Sequence, residues 1–167
     1  MRKLQAGSPC GEAGQTLMEI LLAFSVAVLI LSAIVIVVIT SLSNAQYTKN
    51  QNLANSYARE GMAVIKKLRD SSWIQFSSLT YPNYCLGPTL TLTEASPLLL
   101  CRQNGYLVGE IFSREVNFVH NSLDCSSGSK ATVTVSWADS KCPVGNSLCH
   151  NVQLITCFSS IDQKQAP

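Results

Sequence analysis

Charge is scarce in this chain of 167 residues. Asp, Glu, Lys and Arg make up 13% of it, and the formal net charge is +2, so no basic tail or patch announces a nucleic-acid partner. Between Gln15 and Thr48 the one charged side chain is Glu19, and from Gln15 to Asp70 there is no proline and Gly61 is the sole glycine. The residues that most often break a helix are therefore almost missing from that long stretch. Also missing are a phosphate loop, a G-x-S-x-G elbow, a dinucleotide fingerprint and any C-x-x-C pair, which removes the usual short signatures of nucleotide, hydrolase and zinc-knuckle chemistry. Cys149 and His150 are neighbours, but adjacent strand residues point to opposite faces, so they do not make a nucleophile and base. The chain reads as a non-enzyme, with no catalytic residue and no cofactor.

What the chain does have is one long apolar run. Ile20 to Ile39 is unbroken except for Ser25 and Ser32, and about 20 such residues suffice for a helix to cross a hydrocarbon core of about 30 Å. Glu19 sits at the edge of that run. An ionisable residue in a span costs about 2.5 to 3.5 kcal/mol even on lenient insertion scales, so a retained one points to a function and a partner. An ordinary secretory signal places small residues after its apolar core. Here Gly14 precedes the core, so the apolar run is retained after any cut at that glycine.

The residues Gly14-Gln15-Thr16-Leu17-Met18-Glu19, followed by Ile20-Leu21-Leu22, resemble the class III signal sequence of type IV pilins and pseudopilins. The resemblance implies that residues 1–14 are a leader and that a prepilin peptidase cuts between Gly14 and Gln15. It further implies methylation of the new N-terminus, with Glu19 as the glutamate at the fifth mature position. The chain departs from the family at Gln15, where Phe or Met is usual, and in lacking the proline that many major pilins carry in the apolar half. The physics runs parallel to the resemblance. A freed amine at Gln15 is a cation at the membrane face, and the amine of one subunit can meet the Glu19 carboxylate of another, offsetting its desolvation only when the two meet. The other reading of the same residues is an uncleaved signal anchor whose acid is solvated at the interface.

Beyond the span the pattern becomes amphipathic. Leu42, Ala45, Leu53, Tyr57, Ile65 and Leu68 fall near one helical stripe, with Asn, Gln, Lys and Arg on other faces, so one continuous helix is expected from about Thr16 to about Asp70. No seven-residue repeat is sustained, which argues against a coiled coil. Residues 71–105 read as a loop region punctuated by Tyr81-Pro82-Asn83, Gly87-Pro88 and Ser96-Pro97, with at best a short strand over Thr89–Thr93. Three strands are expected at Tyr106–His120, Ala131–Trp137 and Asn151–Phe158. In the second, Val133, Val135 and Trp137 alternate with Thr132, Thr134 and Ser136, the period of a half-buried strand. Short links favour an antiparallel sheet, and Leu53–Leu68 is the nearest helical cover for its apolar face.

That order makes the chain α+β and resembles the type IV pilin fold. It divides into a leader (1–14), a transmembrane or filament-core half-helix (15–40) and a soluble pilin domain (41–167), whose sheet lies in 106–158. A narrower similarity, to PilV-like minor pilins, rests on Phe112-x-Arg114 ahead of Val133-Thr134-Val135-Ser136-Trp137 and then Val152-x-Leu154-x-Thr156.

Seven cysteines are present. Cys10 lies in the leader, which leaves Cys85, Cys101, Cys125, Cys142, Cys149 and Cys157. An even set in a region placed outside the cell suits disulfides, of which six cysteines allow fifteen connectivities. The expected pairing is Cys142 with Cys149 across the last hairpin, Cys85 with Cys101 across the loop, and Cys125 with Cys157 tying the sheet. The rival is zinc on Cys142, Cys149 and His150 or His120, although the Cys142 to Cys149 gap is wide for a knuckle. Arg2 and Lys3 precede the span but Lys49 and Arg59 follow it, so the positive-inside signal is blunt, and the cysteines decide for a cytoplasmic N-terminus. Trp73, Tyr81 and Tyr84 are a candidate binding surface or the lid of a core. Lys66, Lys67 and Arg69 suit a helix C-terminus better than DNA.

The function expected from the resemblance is a structural one: a subunit of a type IV pilus-like filament, inserted singly in the cytoplasmic membrane and then assembled outside the cell. The implied partners are other pilins, the prepilin peptidase, the pilus assembly platform and the membrane. The alternatives are a pseudopilin of a type II secretion or DNA-uptake system, and a monomeric membrane-anchored extracellular binding domain.

Overall fold

The computed structural model describes residues 12–80, 82–95, 101–102, 105–126, 128–139, 141–143, 145 and 148–159, with side chains from residue 16 onward. Residues 1–11, Tyr81 and Ser96-Pro97 lie outside this set. The chain forms an α+β arrangement of one long N-terminal helix and a five-stranded antiparallel sheet. Helix α1 runs Glu12–Ser71, matching the expected Thr16 to Asp70 to within a few residues, as the absence of breakers requires. Contacts divide the chain into two units, Met1–Gln46 and Tyr47–Pro167.

In the second unit the strands are β1 (Tyr84–Leu86), β2 (Leu92–Glu94), β3 (Ser113–Ser122), β4 (Gly128–Trp137) and β5 (His150–Phe158), in spatial order β2-β1-β3-β4-β5. The expected meander of three is β3-β4-β5, and β4 shows the anticipated alternation, with Ala131, Val133, Val135 and Trp137 buried between half-buried neighbours. Its register with β5 is continuous from Ser129 opposite Phe158 to Trp137 opposite His150. Two corrections apply. The region read as loop contributes two further strands, because β1 is held by non-local pairing, Tyr84 with Val116 and Cys85 with Glu115, which a local pattern cannot report. A short helix α2, Trp73–Ser77, also lies there, its first turn capped by the Ser72 hydroxyl accepting from the Gln75 amide at 3.2 Å.

The second correction is that β3 begins at Ser113, later than Tyr106. Gly109 and Glu110 adopt positive φ (54° and 72°) and fold the chain into a turn closed by the Val108–Phe112 bridge. Gly109 is also pressed against the helix: a Cβ there would lie 2.7 Å from the Tyr57 hydroxyl oxygen, so only glycine fits that approach.

The helical cover is the segment expected, and of the expected stripe Ile65 is buried and Tyr57 packs against the core, but the rest of the buried face is shifted from it. Leu42 is 60% exposed and Leu53 36%, whereas Ala54, Ala58, Met62 and Ile65 are buried against Val116, Val133, Val135 and Trp137. Their spacing is still that of one helical face. Small residues, Ala54, Ala58 and Gly61, make up much of the face where the backbone comes close to the sheet: a Cβ on Gly61 would lie 3.1 Å from Val133 and 3.2 Å from the Arg114 stem. A reading weighted toward large apolar side chains therefore shifted the phase.

Arg114 projects from β3 into this contact and is 1% exposed. Its guanidinium donates to the Leu86 and Gly87 carbonyls, both at 2.9 Å, to the Tyr57 carbonyl at 3.1 Å and to the Glu60 carboxylate at 2.8 Å. The planar fork serves α1 and the end of β1 at once, which a lysine's point charge could not do. Replacing it by Met keeps the stem but removes one donor each from the Leu86, Gly87 and Tyr57 carbonyls and the ion pair from Glu60, and buried acceptors that lose a hydrogen bond are costly. Arg114→Met is expected to lower the unfolding free energy by about 3 kcal/mol. Lys66→Met, on the exposed face, should stay within about 0.5 kcal/mol. Urea titration followed by near-ultraviolet circular dichroism distinguishes the two.

Candidate functional site

The apolar segment of α1 is built to face something other than water. Its large side chains from Leu17 to Leu42 all stand exposed, and the helix is long and apolar enough to cross a membrane. Its hydroxyls are satisfied within the helix: Ser25 donates to the Leu22 carbonyl at 2.8 Å, Ser32 to the Val28 carbonyl and Thr40 to the Ile36 carbonyl at 2.6 Å. Back-bonding of this kind hides a hydroxyl from an apolar medium. Glu19 differs, since a carboxylate in such a run has no internal carbonyl to which it could donate when ionised. Among the described residues no ion pair to Glu19 is found, and the cations that are paired, Arg69, Arg114, Lys130 and His150, all lie in the second unit. Gly14 and Gln15 lie within the helical range of α1, and their side chains fall outside the described set.

No family model, characterised protein or solved structure matches this chain.

The six cysteines outside residues 1–14 form three disulfides, Cys85–Cys101, Cys125–Cys157 and Cys142–Cys149, the same three pairs that the loop-by-loop reading expects. Two of them tie a segment outside the sheet to a strand, and Cys142–Cys149 closes the loop just before β5. Cys85–Cys101 is buried beneath β1, and Cys125–Cys157 fastens the 3-10 turn Leu123–Cys125 to the end of β5.

The residues weighed for zinc divide. Asp139, Cys142, Cys149 and His150 converge, with donor atoms within 4.8 Å of one another, and Asp139 is a member that the sequence reading did not include. Its distance from Cys149 along the chain offered no spacing signal. In the oxidised state the two sulfurs are bonded to each other, so neither is the thiolate that zinc requires. His120 stands apart from this cluster. It contacts the Ser129 hydroxyl and the Leu79 carbonyl, each at 2.8 Å.

The aromatic and basic candidates also separate. Tyr84 is buried in the core and Trp73 is half-buried against Phe76, with ring centroids 5.3 Å apart. Arg69 lies over the Phe158 ring at 5.2 Å and pairs with Asp70 at 2.6 Å. That commits it to closing the core rather than to presenting a charge for DNA.

His150 Nε2 lies 3.1 Å from Asp139 Oδ1, and the Lys141 amide donates to the same carboxylate at 2.8 Å. Burial alone would raise the Asp139 carboxyl. The Lys141 amide hydrogen bond, the His150 contact and the Lys141 charge together outweigh it and hold the group below its ordinary value. A carboxyl depressed on folding adds stability above its unfolded value of about 3.9 and loses that contribution as the pH falls through its lower folded value. Thermal melts between neutral pH and pH about 3 should therefore slope downward in acid. Asp139→Asn, which keeps an acceptor for Lys141 but no charge, should flatten part of that slope by lowering the melting temperature at neutral pH toward its acid value.

Proposed function

We propose that the chain is a structural subunit, a pilin or minor pilin, of a type IV pilus-like filament. The observation that carries this reading is the lone carboxylate of Glu19 on an exposed, otherwise self-satisfied apolar helix, five residues after Gly14. An acid in that position is costly in lipid until a cation meets it. The cation that the leader motif supplies is the amine freed at Gln15 by cleavage after Gly14.

In this reading the segment 15–40 first holds the subunit in the cytoplasmic membrane as a single span. A prepilin peptidase removes residues 1–14, and the platform then brings subunits together. The Gln15 amine of one copy or sibling meets Glu19 of the next, which sets the register, while the apolar faces supply most of the contact. Because the two surfaces that meet are different, the contact repeats without closing and builds an open helix. The α+β unit with a long helix on an antiparallel sheet supports the same reading, and three disulfides suit a domain that leaves the reducing cytoplasm.

Intact-mass analysis of the protein isolated from membranes should find a chain beginning at Gln15, with or without one added methyl group. A chain beginning at Met1 would point instead to a tethered domain that is never processed. Glu19→Ala should leave membrane insertion intact and reduce incorporation into filaments by about tenfold or more, as expected when one member of a buried ion pair is removed. Incorporation at the wild-type level would remove the pairing role.

A further inference from the structure

A second site lies at the end of the Tyr47–Pro167 unit remote from Tyr47. There α2, the end of β3 and the start of β4 enclose a cavity of about 550 Å³ whose walls include Trp73, His120, Asn121, Ser126, Ser129 and Ser159. That size lies within the usual range for small-molecule sites. No Asp, Glu, Lys or Arg stands among the described residues that line it. From those residues a phosphate, carboxylate or amine would meet no carboxylate, ammonium or guanidinium counter-charge. The wall instead offers an indole, several hydroxyls and a carboxamide.

The polar groups are set to receive a ligand. His120 Nε2 faces the Leu79 carbonyl, which can only accept, so Nε2 carries the proton there. In the neutral imidazole Nδ1 is then an acceptor, and the Ser129 hydroxyl donates to it at 2.8 Å. The Ser129 oxygen, nearly buried, is left with a lone pair for a donor from the cavity. The Asn121 carboxamide and the Ser126 and Ser159 hydroxyls line the cavity from exposed positions. Asn121 and Ser126 are both held at positive φ, 54° and 49°. Trp73 supplies an apolar face beside these groups.

We propose that this cavity binds a neutral carbohydrate, one sugar ring lying against Trp73 while its hydroxyls bond Asn121, Ser126 and Ser129. A sugar combines an apolar C–H face with a rim of uncharged donors and acceptors, which is the chemistry of this wall. The site does not depend on how the chain is anchored or assembled.

The two tryptophans report on it separately, since Trp137 is 1% exposed in the core while Trp73 borders the cavity. The full chain, in a zwitterionic detergent without a sugar headgroup, is titrated with lactose and with N-acetylglucosamine while indole emission is followed. A saturable change in the millimolar range is expected with at least one of them. It should be absent in Trp73→Phe and weakened about fivefold or more in Asn121→Gly and Ser126→Gly, which remove a bonding group while suiting the left-handed backbone. Trp137 emission in Trp73→Phe, and near-ultraviolet circular dichroism of the two glycine variants, check that the core is intact. No saturable response to either sugar, an undiminished response in both glycine variants, or an equal response to glycerol or adenosine would overturn the proposal.

Discussion

The close approach of α1 to the sheet governs the second unit. Ala54, Ala58 and Gly61 leave the helix backbone near Val133 and the Arg114 stem, and that nearness lets one guanidinium reach the Tyr57 carbonyl and Glu60 on the helix together with the Leu86 and Gly87 carbonyls. A larger residue on this stripe would lift the helix and lengthen those bonds. The arginine would then be a buried charge without its full set of acceptors, a state far less favourable than either a satisfied arginine or an apolar substitute. Packing and polar satisfaction therefore depend on each other here. Each holds only while the other does.

The ends of the same unit are finished in different ways. At the Tyr47 end, Tyr47, Trp137 and His150 form an aromatic cluster with centroids 5.0 to 6.2 Å apart, and Asp139 with the Cys142–Cys149 bridge holds the loop before β5. At the other, Phe76 is edge-on to Phe118, Phe158 and His120, and Cys125–Cys157 pins the adjoining turn. A domain with one sheet and a helical cover has little core to spare, and cross-links there reduce the freedom of the unfolded chain. The apolar unit follows a different rule. It needs no core, only a helix whose polar groups are internally bonded, and Glu19 is the group for which that is not enough.

Much of this was legible along the chain. The length of α1, the alternation of β4 and the meander β3-β4-β5 follow from local period and from the absence of breakers, whereas the cysteine pairing was a guess among fifteen connectivities, guided by the loops between strands, that the three disulfides match. The stripe on α1 was misphased because periodicity weighs Leu42 and Leu53 above Ala54, Ala58 and Gly61, although close packing selects the small residues. Strand β1 was missed, and β2 was anticipated only as a possible short strand over Thr89–Thr93, because three residues carry almost no local signal and the β3 partner of β1 lies far along the chain. Of the candidate site, Glu19 stood out as the only charge in its stretch. Asp139 beside His150, and Ser129 beside His120, did not.

Residue order along the chain was enough for the elements whose cause is local: a long unbroken helix, its apolar half with one acid, and an alternating strand. Each depends on residues within a turn or two of one another, so their order along the chain is sufficient. The tertiary structure alone decided which helical face is buried, that Arg114 has four partners on two elements, and that an indole, an imidazole, a carboxamide and several hydroxyls line one cavity. Those outcomes depend on distances between residues remote in sequence, and such distances exist only after the sheet has closed against the helix.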